Sequence, residues 1–322
     1  MAIARAGRAV IGGIIAAGLA CTPEPRSSAG VAGDRSLDDD TGRPFEATAP
    51  ARRLVSLIPA ATEILFAVGA GSQLVARTDY CDHPPAARLL PSVGSGIRPA
   101  VEPILSFEPD LVVLFAGPDN AASIERLREL GAPVFAIRHN SIADLYRNIR
   151  RLGTLTGRST AAESLAAGIE VALDSIAERR PDGPPVRVYY DLWGEPPHTI
   201  GGGSYLSDLI RIAGGRNVFG DLDVPSPRVS LEAILAARPD VILVPTGPSG
   251  ADPLERLRAR PGWTSLAAVR EGHVAGVDAD LAHRLGPRLP DAARAIADAI
   301  ERVRPPAPAS AGKGAGGGGR EP

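Results

Sequence analysis

Cysteine is nearly absent: Cys21 and Cys81 are the only two in 322 residues. Two cysteines exclude the disulfide frameworks that staple small secreted domains. Aromatics are scarce as well, at six Phe, five Tyr and two Trp, so an aromatic that falls in a loop gains weight as a contact residue. Basic charge is not in excess: the formal net charge is −2 and no Lys/Arg stripe occurs. That excludes the electrostatic footprint of a nucleic-acid-binding protein. No H-E-x-x-H, G-x-S-x-G or P-loop pattern is present, which removes common signatures of zinc hydrolysis, serine hydrolysis and phosphate binding. What is there is 44% apolar residues, sufficient for a packed core, in a chain long enough for two ordinary domains.

One stretch occurs twice. Arg98-Pro99-Ala100-Val101-Glu102-Pro103-Ile104-Leu105 is followed by Pro109-Asp110-Leu111-Val112-Val113-Leu114; Arg228-Val229-Ser230-Leu231-Glu232-Ala233-Ile234-Leu235 is followed, without a gap, by Pro239-Asp240-Val241-Ile242-Leu243-Val244. Each copy reads as a loop, a short helix opening near the Glu, a Pro-Asp break and a buried strand. Proline stops the helix because it lacks an N–H and its ring clashes with the preceding turn. The short Val/Ile/Leu run that follows is typical of a parallel strand covered on both faces. Two copies suggest two similar α/β lobes; convergence on an ordinary helix–strand joint is the competing explanation.

At the N-terminus, Arg5 and Arg8 precede an apolar run from Val10 to Leu19 and then Cys21, the pattern of a signal peptide. The run is shorter than the roughly 20 residues that span a bilayer. Cys21 stands where a bacterial lipoprotein carries its acylated cysteine; a soluble exported protein and an uncleaved anchor are the alternatives. Residues 22–51 are rich in Pro, Gly, Ser, Asp and Arg and predict a flexible tether. Residues 305–322, with Gly316 to Gly319, predict a disordered tail.

Between the ends, strands and helices alternate. Strands are predicted at Leu54–Ile58, Leu74–Arg77, Leu111–Phe115 and Val134–Ile137, with helices at 62–68 and 124–130. In a parallel sheet of this kind ligands sit beyond the carboxyl ends of the strands, which points to Thr78–His83, Gly94–Arg98 and Phe115–Asn120 as the lips of a cleft. An amphipathic helix at 142–152 is followed by a second helix that starts near Thr160, where Thr160-Ala161-Ala162-Glu163 matches a capping box, and runs to about Arg180. A helix of that length spans about 30 Å; it is either a stiff strut between lobes or an ordinary crossover. The second lobe begins with a strand at 186–192. Gly201-Gly202-Gly203-Ser204 precedes a helix at 205–213, but its spacing fits neither a P-loop nor GxGxxG and no Lys follows, so it is not read as a phosphate site. A strand at 274–277, a polar loop at 278–288 and a helix at 291–303 close the lobe.

From Arg53 to Arg304 these residues resemble the helical-backbone (cluster-A, class III) periplasmic substrate-binding proteins of ABC importers for cobalamin, haem and ferric siderophores, and within them the cobalamin-binding branch. The resemblance is carried by Leu54-Val55-Ser56-Leu57-Ile58-Pro59-Ala60-Ala61-Thr62-Glu63-Ile64, Thr78-Asp79-Tyr80-Cys81-Asp82-His83-Pro84, the repeated Glu102 and Glu232 stretches, and Arg284-Leu285-Gly286-Pro287-Arg288. It implies an α/β fold of two Rossmann-like lobes bridged by one long backbone helix, with lobes at 52–158 and 182–304 and the helix at 159–181. It implies a binding protein rather than an enzyme, held at the membrane by a lipid anchor alone, monomeric, with no permanent cofactor. Its partners would be an ABC permease dimer with its ATPase and a transported metal chelate, a corrinoid or alternatively haem or a ferric siderophore. A chelatase-like enzyme on a similar scaffold, with His83 and Glu63 at a metal entry site, is the contrasting class. In the family, an acid on each lobe docks on permease arginines; Glu102 and Glu232 match those positions. A helix's first turn also favours a negative charge electrostatically.

For the ligand, Tyr80 matches an aromatic contact of the vitamin-binding relatives, and Phe115 and Trp193 are further aromatic candidates, one per lobe. Arg98 and Arg228, in loops before the two acids, could meet ligand carboxylates. Tyr80 or His83 could ligate haem iron, whereas Cys81 reads as a small buried residue. Gly96 and Ser226 stand where the vitamin-binding pattern has tryptophans, which predicts a less aromatic pocket. His139, His198, His273 and His283 show no metal-ligand spacing.

Overall fold

The computed structural model describes residues 36–46, 49–180, 183–192, 194–247, 250 and 252–304. The expected signal peptide with Cys21, the first part of the expected tether, the expected tail and Trp193 lie outside them.

A hairpin of β1 (Ser36–Asp38) and β2 (Pro44–Glu46) comes first. Then follow β3 (Leu54–Ser56), α1 (Pro59–Ala67), β4 (Leu74–Arg77), α2 (Val101–Leu105), β5 (Leu111–Phe115), α3 (Ala121–Glu129) and β6 (Val134–Ile137). Two long helices, α4 (Ile142–Thr156) and α5 (Ser159–Glu178), lead to β7 (Val186–Tyr190), α6 (Tyr205–Ile212) and β8 (Gly215–Asn217). The chain ends with α7 (Leu231–Ala237), β9 (Val241–Thr246), α8 (Pro253–Arg258), α9 (Ala267–Arg270), β10 (Val274–Asp278), α10 (Ala279–Ala282) and α11 (Leu289–Val303). Two four-stranded parallel sheets result, ordered β4-β3-β5-β6 and β10-β9-β7-β8. They form the cores of a first and a second lobe.

The repeat is structural. In both copies the residue before Pro-Asp takes a left-handed backbone, Glu108 at φ 45° and Arg238 at φ 47°. In both copies the aspartate then ties down the neighbouring strand: Asp110 accepts from the Arg52 and Arg53 N–H groups at 2.8 Å, and Asp240 accepts from the Arg187 N–H at 2.8 Å and from its guanidinium. Pro-Asp is thus a helix stop and a sheet staple in one.

Each sheet has a private outer core. Val55, Val112, Leu114, Ile124 and Leu127 fill the first, and Tyr189, Ile242, Val244, Trp263 and Val269 the second. Their other faces share one continuous core through α1, α4, α5, α6 and α11. The connecting helix α5 buries a narrow stripe of Ala162, Ala166, Ile169 and Leu173, spaced to fall on one helical face. The strut reading holds, and the strut is packed along its length rather than free.

Three expectations change. The capping box lies at α4, where Ser141 and Asp144 bond reciprocally; Thr160 falls inside α5, because α4 ends at the left-handed Gly157 and the next helix starts at once at Ser159, with Arg158 at its N-cap making no side-chain capping bond. The polar loop at 278–288 contains α10, capped by the Asp278 carboxylate. Residues 36–46 are a packed hairpin rather than tether. Their polarity is matched by the first lobe: Asp39 pairs with Arg128, Asp40 with Arg147 and Arg151, and Phe45 packs edge-on against Phe135 at 5.5 Å.

Candidate functional site

The carboxyl ends of all four strands of the first lobe converge on one cavity of about 390 Å³. Leu57, Ile58 and Pro59 follow β3, Thr78 and Tyr80 follow β4, Phe115 ends β5 and His139 follows β6; Gly96, Ile97, Asp119 and Asn120 close it. The wall is mainly apolar, with an aromatic pair in it: the Phe115 and His139 rings meet edge-on with centroids 4.5 Å apart. A second cavity of about 720 Å³ shares Pro59 and Tyr80 and is bounded on the other side by the second lobe, through Thr246, Asp278, Asp280, His283 and Arg284. Those residues lie at the carboxyl ends of β9 and β10. A cleft with an apolar wall on one lobe and a hydrogen-bonding wall on the other is therefore built where parallel sheets place ligand sites.

The loops are held firmly. The buried Asn120 amide donates to Gly96 O (3.1 Å) and Phe115 O (3.3 Å), while its carbonyl accepts the Arg98 N–H (2.9 Å). Arg77 braces the loop after β4 by donating to Ala87 O and Thr78 O at 2.9 and 2.7 Å. Buried polar residues in the first two stretches that carry the resemblance are structural: Thr62 Oγ1 donates to Ser56 Oγ at 2.8 Å, and Thr78 Oγ1 lies 3.0 Å from Cys81 Sγ, all four buried. Cys81 is a core thiol, as read. Between the lobes, buried Glu63 of α1 accepts two hydrogen bonds from Arg288 and one from Arg284, and Arg284 also pairs with Asp82 and Asp280.

Tyr80 lines both cavities with 69% of its surface exposed, and Phe115 lines the apolar one, half-buried. Arg98 and Arg228 are not among the residues lining either cavity: Arg98 pairs with Asp119 at 2.7 Å and Arg228 donates to His198 Nε2 at 3.1 Å. His83 is half-buried and lines neither. Gly96 lines the apolar cavity, and any Cβ there would overlap the Leu57 carbonyl, so a tryptophan fits only if the loop moves. Ser226 is exposed. The Gly201–Gly203 run owes its glycines to close backbone approach: Gly201 N–H donates to Pro225 O and Gly202 N–H to Leu222 O, which leaves these groups no phosphate role. Glu102 and Glu232 are both exposed in the first turns of α2 and α7. Hydrogen bonds from its own backbone and from Ser230 hold the Glu232 carboxyl below its ordinary range.

Sequence reasoning missed His139, Asp278, Asp280 and His283 as cleft residues. Their position just past β6 and β10 was the available signal. Burial holds both histidines below the ordinary imidazole range, His139 against a smaller opposing pull from Asp144. The His283 Nε2 lies 3.0 Å from the buried Tyr190 hydroxyl. Among the described residues no group of three or more His, Cys, Asp or Glu is arranged to hold a metal ion.

Residues 54–281 match the periplasmic binding protein family. The chain belongs to this family. Its relatives include a vitamin B12-binding protein of Vibrio cholerae serotype O1, 30% identical over 248 residues that cover 77% of this chain and 88% of that one. Among solved structures, the periplasmic vitamin B12-binding protein BtuF of Vibrio cholerae superposes with a TM-score of 0.67 at 28% identity, covering 79% of this chain and 98% of that one. The periplasmic haem-binding protein BhuT, in complex with two haems, gives 0.68 at 28% identity, covering 78% and 100%. The periplasmic binding protein described here therefore shares its two-lobed α/β fold with binders of both kinds of tetrapyrrole.

Proposed function

We propose that this protein captures a corrinoid in the cleft between its lobes and delivers it to an ABC importer. The observation that carries the reading is the two-sided cleft. A flat macrocycle gains by burying a face against Leu57, Ile58, Ile97, Tyr80 and Phe115, at roughly 25 cal/mol per Å² of apolar surface. Its polar rim then meets Thr246, Asp278 and Asp280 on the opposite wall. The vitamin B12-binding relatives support the corrinoid over other chelates.

Delivery rests on Glu102 and Glu232, quasi-equivalent acids on the two lobes. A two-lobed protein that carries one exposed acid per lobe matches a two-fold symmetric permease, and charge complementarity sets register and encounter rate more than affinity. The shared inner core and the Glu63–Arg288 bridge support small lobe movements rather than wide hinge closure. The protein acts as a carrier and not as an enzyme, outside the cytoplasm, with the Cys21 pattern supporting a lipid anchor. No helix among the described residues is long and apolar enough to cross a membrane.

Haem is the second reading, favoured by the exposed Tyr80 on the cleft and by the haem-binding structural relatives. Calorimetric titration with cyanocobalamin, cobinamide, haem and a ferric hydroxamate separates the two. Tight corrinoid binding is expected; haem binding alone, with a shifted Soret band lost in Tyr80→Phe, would replace the corrinoid reading by the second.

A further inference from the structure

The loop after β6 places His139 in the apolar wall of the first-lobe cavity, its ring against Phe115. Its Nδ1 is buried without a hydrogen-bond partner. Among the described residues, buried side-chain atoms of Gln73 and Asn148 share that condition. Of these three residues, His139 alone lines either cavity of the cleft. Buried polar atoms in native proteins are nearly always paired, so each exception calls for a cause. A half-turn of an imidazole ring exchanges the edges on which its nitrogens lie.

Resting on the corrinoid reading of the cleft, we propose that His139 is a specificity-determining contact that hydrogen-bonds an uncharged polar group, a carboxamide, on the rim of the ligand. Three observations select this chemistry. The cavity lining contains Asp119 and no lysine or arginine, so a ligand carboxylate would enter an apolar wall with no cation to receive it. The imidazole is kept neutral by burial and so offers one N–H donor and one acceptor, the complement of a carboxamide. Metal ligation is disfavoured because a ligating histidine normally donates its other N–H to a carboxylate or carbonyl. Nδ1 has no such partner, and the nearby Asp144 carboxylate is occupied by the Asn140 and Ser141 N–H groups and by Arg147.

The test titrates the full chain with dicyanocobinamide, whose rim carries primary carboxamides, and with dicyanocobyrinic acid heptamethyl ester, which keeps the corrin but replaces the amides by esters. The unmodified protein should bind the amide-bearing corrin about tenfold more tightly, the scale of one hydrogen bond. His139→Phe keeps an aromatic ring against Phe115 and should bind both alike; His139→Gln, with an amide at the same place, should recover the preference. Thermal melts of both variants separate lost recognition from lost folding. A preference unchanged in a folded His139→Phe would overturn the role of His139 and leave the corrinoid reading standing. A cobalt absorption shift on binding that disappears in His139→Phe would overturn it in favour of axial ligation. Binding of neither corrin by the unmodified protein would overturn both readings together.

Discussion

Arg288, just before α11 in the second lobe, grips Glu63 of α1 in the first with two hydrogen bonds, Nε to Oε2 at 2.9 Å and Nη2 to Oε1 at 2.7 Å. The Glu63 side chain is 2% exposed. A buried carboxylate deprived of its guanidinium is costly, whereas replacing both partners by apolar residues of similar size is often neutral. Arg288→Met removes the closer guanidinium and leaves Glu63 only the Arg284 contact at 3.4 Å, so it should lower the stability of the protein by about 2 kcal/mol, and Glu63→Met combined with Arg288→Met should recover most of that loss. Urea unfolding of the two single variants and the double variant checks this. Additive losses would mean that the pair does not act as a unit.

The junction of α4 and α5 depends on one glycine. A Cβ at Gly153 would overlap the Ala162 Cβ, and the two helices have no spare room there. Gly153→Ala raises intrinsic helix propensity but should still destabilise, because overpacking costs about 1–3 kcal/mol against a propensity gain of about 1 kcal/mol. A lowered melting temperature is the expected outcome, whereas a raised one would show that the strut is loosely seated.

The hairpin is anchored to the first lobe. A chain starting at residue 35 keeps β1 and β2; one starting at residue 51 loses them and leaves Arg128 and Arg151 without Asp39 and Asp40. The shorter chain should melt several degrees lower. Acid sensitivity should change with it. Burial pushes the Asp39 carboxyl up, but hydrogen bonds from Thr41, Arg43 and Ala136 outweigh burial and hold it below its ordinary 3.8. A carboxyl depressed by folding contributes stability that is full above its unfolded value and is lost as the pH falls through its folded value. Melting curves between pH 7 and pH 3 should show Asp39→Asn less stable at neutral pH but losing less on acidification.

The exposed acids should separate transport from binding. Glu102→Ala combined with Glu232→Ala should abolish uptake through the cognate importer while ligand affinity stays within about twofold, since neither residue lines the cleft cavities and exposed charges steer encounter rather than fold. Uptake of labelled ligand and calorimetry on the same variant are the readouts. Lost affinity would place these acids at the ligand instead.

Most of the architecture was legible because it rests on local rules. The Pro-Asp repeat announced both lobes, and the apolar runs at 54–58, 111–115 and 134–137 became parallel strands because β-branched and leucine residues suit two-sided burial. What was not legible depends on distant pairing. The composition of residues 36–46 reads as tether, and only Arg128, Arg147 and Arg151, some ninety to more than a hundred residues on, turn those aspartates into anchors. Thr160 and Glu163 carry the letters of a capping box, yet the chain needs none there because α5 starts directly after α4. At the cleft, Tyr80 and Phe115 were visible as aromatics in loops. His139 and His283 were not, since spacing rules for metal sites say nothing about a histidine that only touches a ligand.

Cyanocobalamin should be titrated calorimetrically into the full chain and into the chain carrying both Tyr80→Ala and Phe115→Ala. Each ring contributes about a tenfold effect through stacking and burial, so tight binding by the unmodified protein should weaken about a hundredfold in the double variant, checked to be folded by a cooperative melt because Phe115 also packs against the core. Equal affinity in both proteins, or no binding by the unmodified one, would contradict a corrinoid seated between the lobes.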